Sequence, residues 1–180
     1  MILVIDTSSA TAAIATVDGE RTERLIPSRS SELRATLRDM ARMPDLTKVA
    51  VASGPGSFTG LRVGVSFALG LAMGRGIPIV PLNSLELLAA RSDEPVIAVK
   101  DAGRGRIYFL MPGGKPAFGD AVDIPRSHPI VDSFTPEKGL RGFAQAAEIL
   151  LRSAREVAYG SLEIEYMTSF KVPTKSEPSA

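Results

Sequence analysis

Gly54, Pro55, Gly56, Ser57, Phe58, Thr59, Gly60, Leu61 and Arg62 follow one another between an apolar run at 49–52 and a second run that starts at Leu61. The order reads as strand, glycine-rich loop and helix start. Glycine takes positive φ without a Cβ penalty, proline fixes one φ, and the free N–H groups of a helix start form a concave surface suited to an anion. Such a loop serves phosphate binding or a partner contact, with a plain tight connection as the simpler reading. The common phosphate fingerprints do not fit it. No lysine and hydroxyl follow Gly60, Thr59 stands where a dinucleotide loop needs its third glycine, and no G-x-S-x-G elbow is formed.

Asp6 and Asp101 are the carboxylates best placed for chemistry. Asp6 closes the apolar run 2–5 and precedes Thr7, Ser8 and Ser9, at the carboxyl end of an expected strand, where ligands bind in many sheets. In actin-like phosphotransferases an acid after the first strand orients metal and phosphate. Asp6, Thr7, Ser8 and Asp101 are therefore candidate nucleotide-binding residues, and an ATPase or phosphotransferase using Asp6 and Asp101 is one functional reading. A capped turn is the plainer one. Direct RNA binding through Lys100, Arg104 and Arg106 is a third reading, which requires a steep salt dependence. The chain has a single histidine, His128, and no cysteine, so a zinc site, a cysteine nucleophile and a Ser-His-Asp triad have little footing.

These residues need elements to hold them. The run 2–5 suits a buried strand, and 12–17 and 21–26 around Asp18-Gly19 suit a hairpin. A helix is expected from Ser30 or Ser31 to about Met43, stopped by Pro44, with Arg34, Arg38 and Arg42 on its solvated face. Strand 49–53, helix 61–74 and strand 77–81 form a parallel crossover. In that helix Gly60, Gly64, Ala68 and Ala72 recur every fourth residue, amid Val65, Phe67, Leu69 and Leu71. Something approaches this face closely, either a partner helix or the chain's own sheet.

A short helix at 84–90 and strands at 95–100 and 107–111 repeat the first theme in outline, which fits an internal duplication. Beyond Pro112, Pro116, Pro125, Pro129 and Pro136 break the chain into short pieces, with one convincing helix at 140–155. The expected division is a first lobe at 1–100 and a smaller second lobe with a polar tail at 101–180. Residues 157–172 have two destinations, the second half or a return to the first.

Across its 180 residues the chain is 44% hydrophobic and 23% charged, with a formal net charge of +1. That is enough apolar content for one large domain or two small lobes, and too little charge for a general polyanion field. No basic region precedes the apolar start, so a signal peptide is not expected, and no stretch suits a membrane span. The cytoplasm is the expected compartment, and 174–180 the expected frayed tail.

Ile2-Leu3-Val4-Ile5-Asp6-Thr7-Ser8-Ser9, the segment from Ser53 to Gly64, and Asp101-Ala102 with Arg104, Gly105 and Tyr108 occur in this order. Together they resemble the TsaB (YeaZ) family of bacterial threonylcarbamoyladenosine biosynthesis, over about the first 110 residues. The resemblance implies an actin-like (ASKHA) α/β fold of two lobes, a mixed sheet with flanking helices, and here a shortened second lobe. It also implies a noncatalytic scaffold that supports the tRNA-modifying enzyme TsaD, alongside a TsaE-like ATPase, and that forms a homodimer when TsaD is absent. By this resemblance tRNA is reached only through the complex, and ATP or ADP belongs to the contact with TsaD rather than to an intrinsic cofactor site.

The implied partner or dimer interface is the loop and helix from Gly54 to Arg62 with Gly64, Val65, Ala68, Leu69 and Ala72, and Phe58, Leu61, Val65 and Leu69 are its candidate anchors. TsaD-type enzymes hold a metal through paired histidines on a helix, and the matching stretch 30–34 has none. Ser30 also stands where relatives usually carry a histidine.

Overall fold

The computed structural model describes residues 1–132 and 138–167. Pro136 and the polar tail 174–180 lie outside them. A first sheet is built from β1 (Ile2–Asp6), β2 (Thr11–Val17), β3 (Thr22–Pro27), β4 (Lys48–Gly54) and β5 (Ile79–Asn83), in the order β3-β2-β1-β4-β5. The Asp-Gly turn acts as its composition dictates, with Asp18 at φ 60 and Gly19 at φ 137. β1, β2 and β3 are antiparallel, whereas β4 and β5 join β1 in parallel.

Two helices connect the strands of this sheet. α1 (Ser31–Ala41) starts at Ser30, whose Oγ accepts from the Leu33 N–H. α2 (Phe58–Arg75) is capped by Ser57 and ends at Gly76 in the left-handed conformation. It begins three residues before the Leu61 start read from hydropathy, because Ser57 rather than the apolar run sets the first turn.

α3 (Ser84–Ala89) leads to a second sheet of β6 (Ile97–Gly103), β7 (Arg106–Leu110), β8 (Ala117–Asp120) and β9 (Ile130–Val131), in the order β8-β7-β6-β9. β6, β7 and β8 are antiparallel and β9 is parallel to β6. This repeats the arrangement of β3-β2-β1-β4, as a duplication requires. Residues 97–100 belong wholly to β6, so the change of sheet precedes Ile97 and a division at residue 100 would cut a strand. α4 (Phe143–Leu151) is shorter at both ends than the 140–155 expectation.

Strand alternation divides the core. On one face of the first sheet Leu3, Ile5, Ile14, Val49 and Val51 pack with Leu33, Leu37 and Met40 of α1 and with Val65, Ala68 and Ala72 of α2. On the other face Val4, Ala13, Ala15, Ala50 and Ala52 share one cluster with Leu85 and Leu88 of α3, Phe143 and Ala147 of α4, and Ala98 and Tyr108 of the second sheet. The two sheets thus share a core through α3 and α4.

The chain then returns to the first sheet. Val157 bridges Ile79, the Tyr159 hydroxyl donates to the carbonyls of Ile77 (2.9 Å) and Ala72 (3.3 Å), and the Glu165 N–H donates to the Ser53 carbonyl at 2.8 Å. Among the described residues no helix is long and apolar enough to cross a membrane.

Candidate functional site

The turn after β1 and the loop after β4 are stitched together. The Ser57 N–H donates to the Ser8 carbonyl at 2.8 Å, and the Thr7 hydroxyl donates to the Gly60 carbonyl at 2.7 Å. Ser57 Oγ accepts the Gly60 N–H, and Ser84 Oγ donates to the Pro55 carbonyl. The approach leaves no room for side chains. A Cβ on Gly56 would lie 2.5 Å from the Ser8 carbonyl, and one on Gly60 would overlap the Thr7 carbonyl. The Ser57 and Gly60 N–H groups are used within the chain.

Asp6 is fully buried. Its Oδ1 accepts the Ser8 N–H at 2.7 Å and the Ser8 hydroxyl at 2.5 Å. Its Oδ2 faces Lys100 Nζ at 3.3 Å, and that ammonium also donates to Ser9 Oγ at 3.0 Å and to Ser8 Oγ. Lys100 is itself 2% exposed, which removes it from any RNA-facing patch. Burial pushes its pKa below the ordinary lysine range, against the opposing charge and hydrogen bond of Asp6.

Of the four candidate nucleotide residues, Asp6, Thr7 and Ser8 come together and Asp101 does not. Asp101 is exposed and accepts the Gly103 N–H at 2.8 Å in its own turn. The residue that joins Asp6 is the one before it. The sequence signal for Lys100 is a lone charge in an apolar run, Ile97-Ala98-Val99-Lys100, at the place where the run 2–5 has Ile5. Of the other basic candidates, Arg104 is exposed, and Arg106 lies over the Phe118 ring at 3.9 Å and pairs with Asp120.

A metal-bound nucleotide does not fit these donors. Both carboxylate oxygens of Asp6 are engaged, and an ammonium occupies the cation's place beside Oδ2. Among the described residues no group of three or more His, Asp or Glu could hold a metal.

The faces of α2 settle what approaches its small residues. Leu61, Gly64, Val65, Ala68 and Ala72 are buried, with Val65, Ala68 and Ala72 packed on the chain's own first sheet, and a Cβ on Gly64 would overlap Thr7 Oγ1. They are core residues and offer no surface to a partner. The stripe records a close approach, and that approach is made by the β1 turn. Leu69 is half-buried on the same cluster, and Gly54 and Pro55 are buried.

The exposed members of the expected interface are Ser57, Phe58, Thr59 and Arg62, with Gly56 half-buried. Arg62 lies over the Phe58 ring at 3.8 Å and donates to the Tyr166 hydroxyl at 3.1 Å. Spacing alone missed the outer face of the helix. There Val63 is 47% and Met73 57% exposed, Phe67 is half-buried, and Gly70 and Gly74 open onto free space.

Paired mixed sheets that share one strand plan, with a glycine loop closing over the carboxyl end of the first strand, define an actin-like α/β protein of two lobes. The model of the family described as TsaD, tRNA N6-adenosine threonylcarbamoyltransferase, matches residues 32–147, more than half of the chain, and the chain belongs to that family. It is 41% identical over 120 residues to the tRNA threonylcarbamoyladenosine biosynthesis protein TsaB of Bacillus subtilis, covering 59% of this chain and 52% of that one. It is 30% identical over 125 residues to the Escherichia coli protein of the same name, covering 60% and 53%. The chain therefore spans about half the length of the curated relatives it matches. In fold it matches YeaZ from Pseudomonas aeruginosa with a TM-score of 0.71 at 20% identity, over 92% of this chain and 99% of that structure.

Proposed function

We propose that this chain is a noncatalytic subunit of tRNA threonylcarbamoyladenosine formation, which holds a TsaD-type threonylcarbamoyltransferase against the outer face of α2. The observation that carries this reading is the character of that helix. α2 is largely apolar, with Thr59, Arg62, Ser66 and Arg75 as its polar side chains, and its outer side still leaves Val63, Met73 and Phe58 about half exposed. Gly70 and Gly74 let another backbone come close on that side. A second copy of the chain covers the same face when the enzyme is absent.

The names of the TsaB relatives support the pathway. The closed Asp6 pair supports a supporting role over a phosphotransferase. A TsaE-like ATPase acts on the assembled complex in the cytoplasm, ATP or ADP binds at the contact with the enzyme, and tRNA is reached through the enzyme.

The test is co-elution of the Val63→Glu/Met73→Glu variant with its TsaD-type enzyme, alongside threonylcarbamoyl transfer to tRNA. Surface changes shift stability by about 0.5 kcal/mol or less, so the variant should fold normally, lose the complex and lose chain-dependent transfer. Unchanged co-elution would remove α2 as the contact.

A further inference from the structure

The fold brings together a carboxylate from one sheet and an amine from the other, both sealed from water. Asp6 ends β1 and Lys100 lies on the central strand of the second sheet. The ammonium has three hydrogens, and three of the oxygens around it accept them: Asp6 Oδ2, Ser8 Oγ and Ser9 Oγ. The ammonium already stands where a cation beside this carboxylate would stand, with two hydroxyls as further acceptors.

The cradle is also part of the loop. Thr7 and Ser8 of the same turn hold Gly60 and Ser57, so the cation stands behind the start of α2. We propose that the Lys100 ammonium is the built-in cation of the Asp6 site, closing this carboxylate to metal-bound phosphate and tying the second sheet to the turn that supports the glycine loop. This inference makes no use of a partner protein and stands or falls apart from the α2 reading.

Lys100→Ala removes the ammonium and its last three carbons, the same atoms that n-propylammonium carries. The experiment is thermal unfolding of the full chain and of this variant in n-propylammonium chloride, with sodium chloride at equal ionic strength and n-propanol as controls. The expected result is a rise of several degrees in the Lys100→Ala midpoint with n-propylammonium alone, and no such rise in the unsubstituted chain or in Asp6→Asn/Lys100→Ala. If Lys100→Ala is unfolded, the readout becomes recovery of far-ultraviolet circular dichroism on adding the amine. Magnesium-ADP should leave the midpoint of the unsubstituted chain unchanged. The proposal is overturned if the amine acts no better than sodium, or fails to refold an unfolded variant. A magnesium-ADP stabilisation of the unsubstituted chain that Asp6→Asn abolishes would also overturn it.

Discussion

Glu86, in the first turn of α3, has its carboxyl pushed above the ordinary value of 4.5, first by burial and then by the charge of Glu165. Glu165 is fixed there by the Asn83 amide, which donates to its Oε2 at 3.1 Å. Because the folded chain holds the Glu86 proton more tightly than the unfolded chain does, the contribution of this residue to stability is greatest below the ordinary glutamate range. It declines as pH rises through the raised folded value. Glu165→Gln should flatten that decline and Glu86→Gln should abolish it, as urea midpoints measured from about pH 4 to pH 7 would show. At the same scale the sequence made Asp6 legible as a special carboxylate but offered the wrong companion. In β6 the side chains alternate, Ala98 and Lys100 turn toward the shared core, and Ile97, Val99 and Asp101 turn away from it. Nothing in a run so apolar at both parities says which set faces inward, so Asp101 looked as well placed as its neighbour.

At the scale of the element, two glycines of α2 answer the same substitution with opposite signs. Gly60→Ala drives a methyl into the Thr7 carbonyl, and backbone cannot swing aside as a flexible side chain does. The expected loss is about 1–3 kcal/mol. Gly70→Ala places its methyl in open space on an exposed helix surface, and should gain about 0.5–1 kcal/mol from helix propensity. Chemical denaturation of the two variants decides both. The periodicity that identified the helix registered Gly60, Gly64, Ala68 and Ala72 as a stripe, and it could not say whether a sheet or a partner lay beneath. The same spacing also relates Gly70 to Gly74, which face the other way. Amphipathicity normally resolves such a choice, and a helix whose outer side mixes Val63 and Met73 with Arg62 and Ser66 weakens that signal.

For the whole molecule, one apolar cluster runs from β1 and β2 through α3 and α4 to β6 and β7. The start of α4 is held by a first-sheet carboxylate, since Glu23 Oε2 accepts the Ala144 N–H at 2.9 Å. Two lobes joined in this way should unfold in a single transition, with far-ultraviolet circular dichroism and tyrosine fluorescence giving coincident curves. The repeated strand theme was readable from the two apolar starts, but β8 and β9 are too short, and their surroundings too proline-broken, to announce themselves. The bond between Glu23 and Ala144 spans 121 positions of sequence and has no local signature. The return of residues 157–166 to the first sheet has a consequence for the order of synthesis. β4, the glycine loop and the start of α2 are translated early, yet the Glu165 N–H that bonds the Ser53 carbonyl and the Tyr166 ring beside Phe58 leave the ribosome more than 100 residues later. A nascent chain therefore carries this surface unfinished until nearly all of the described residues have emerged, and a partner that recognises its finished form binds chains that extend past Tyr166 in preference to shorter ones.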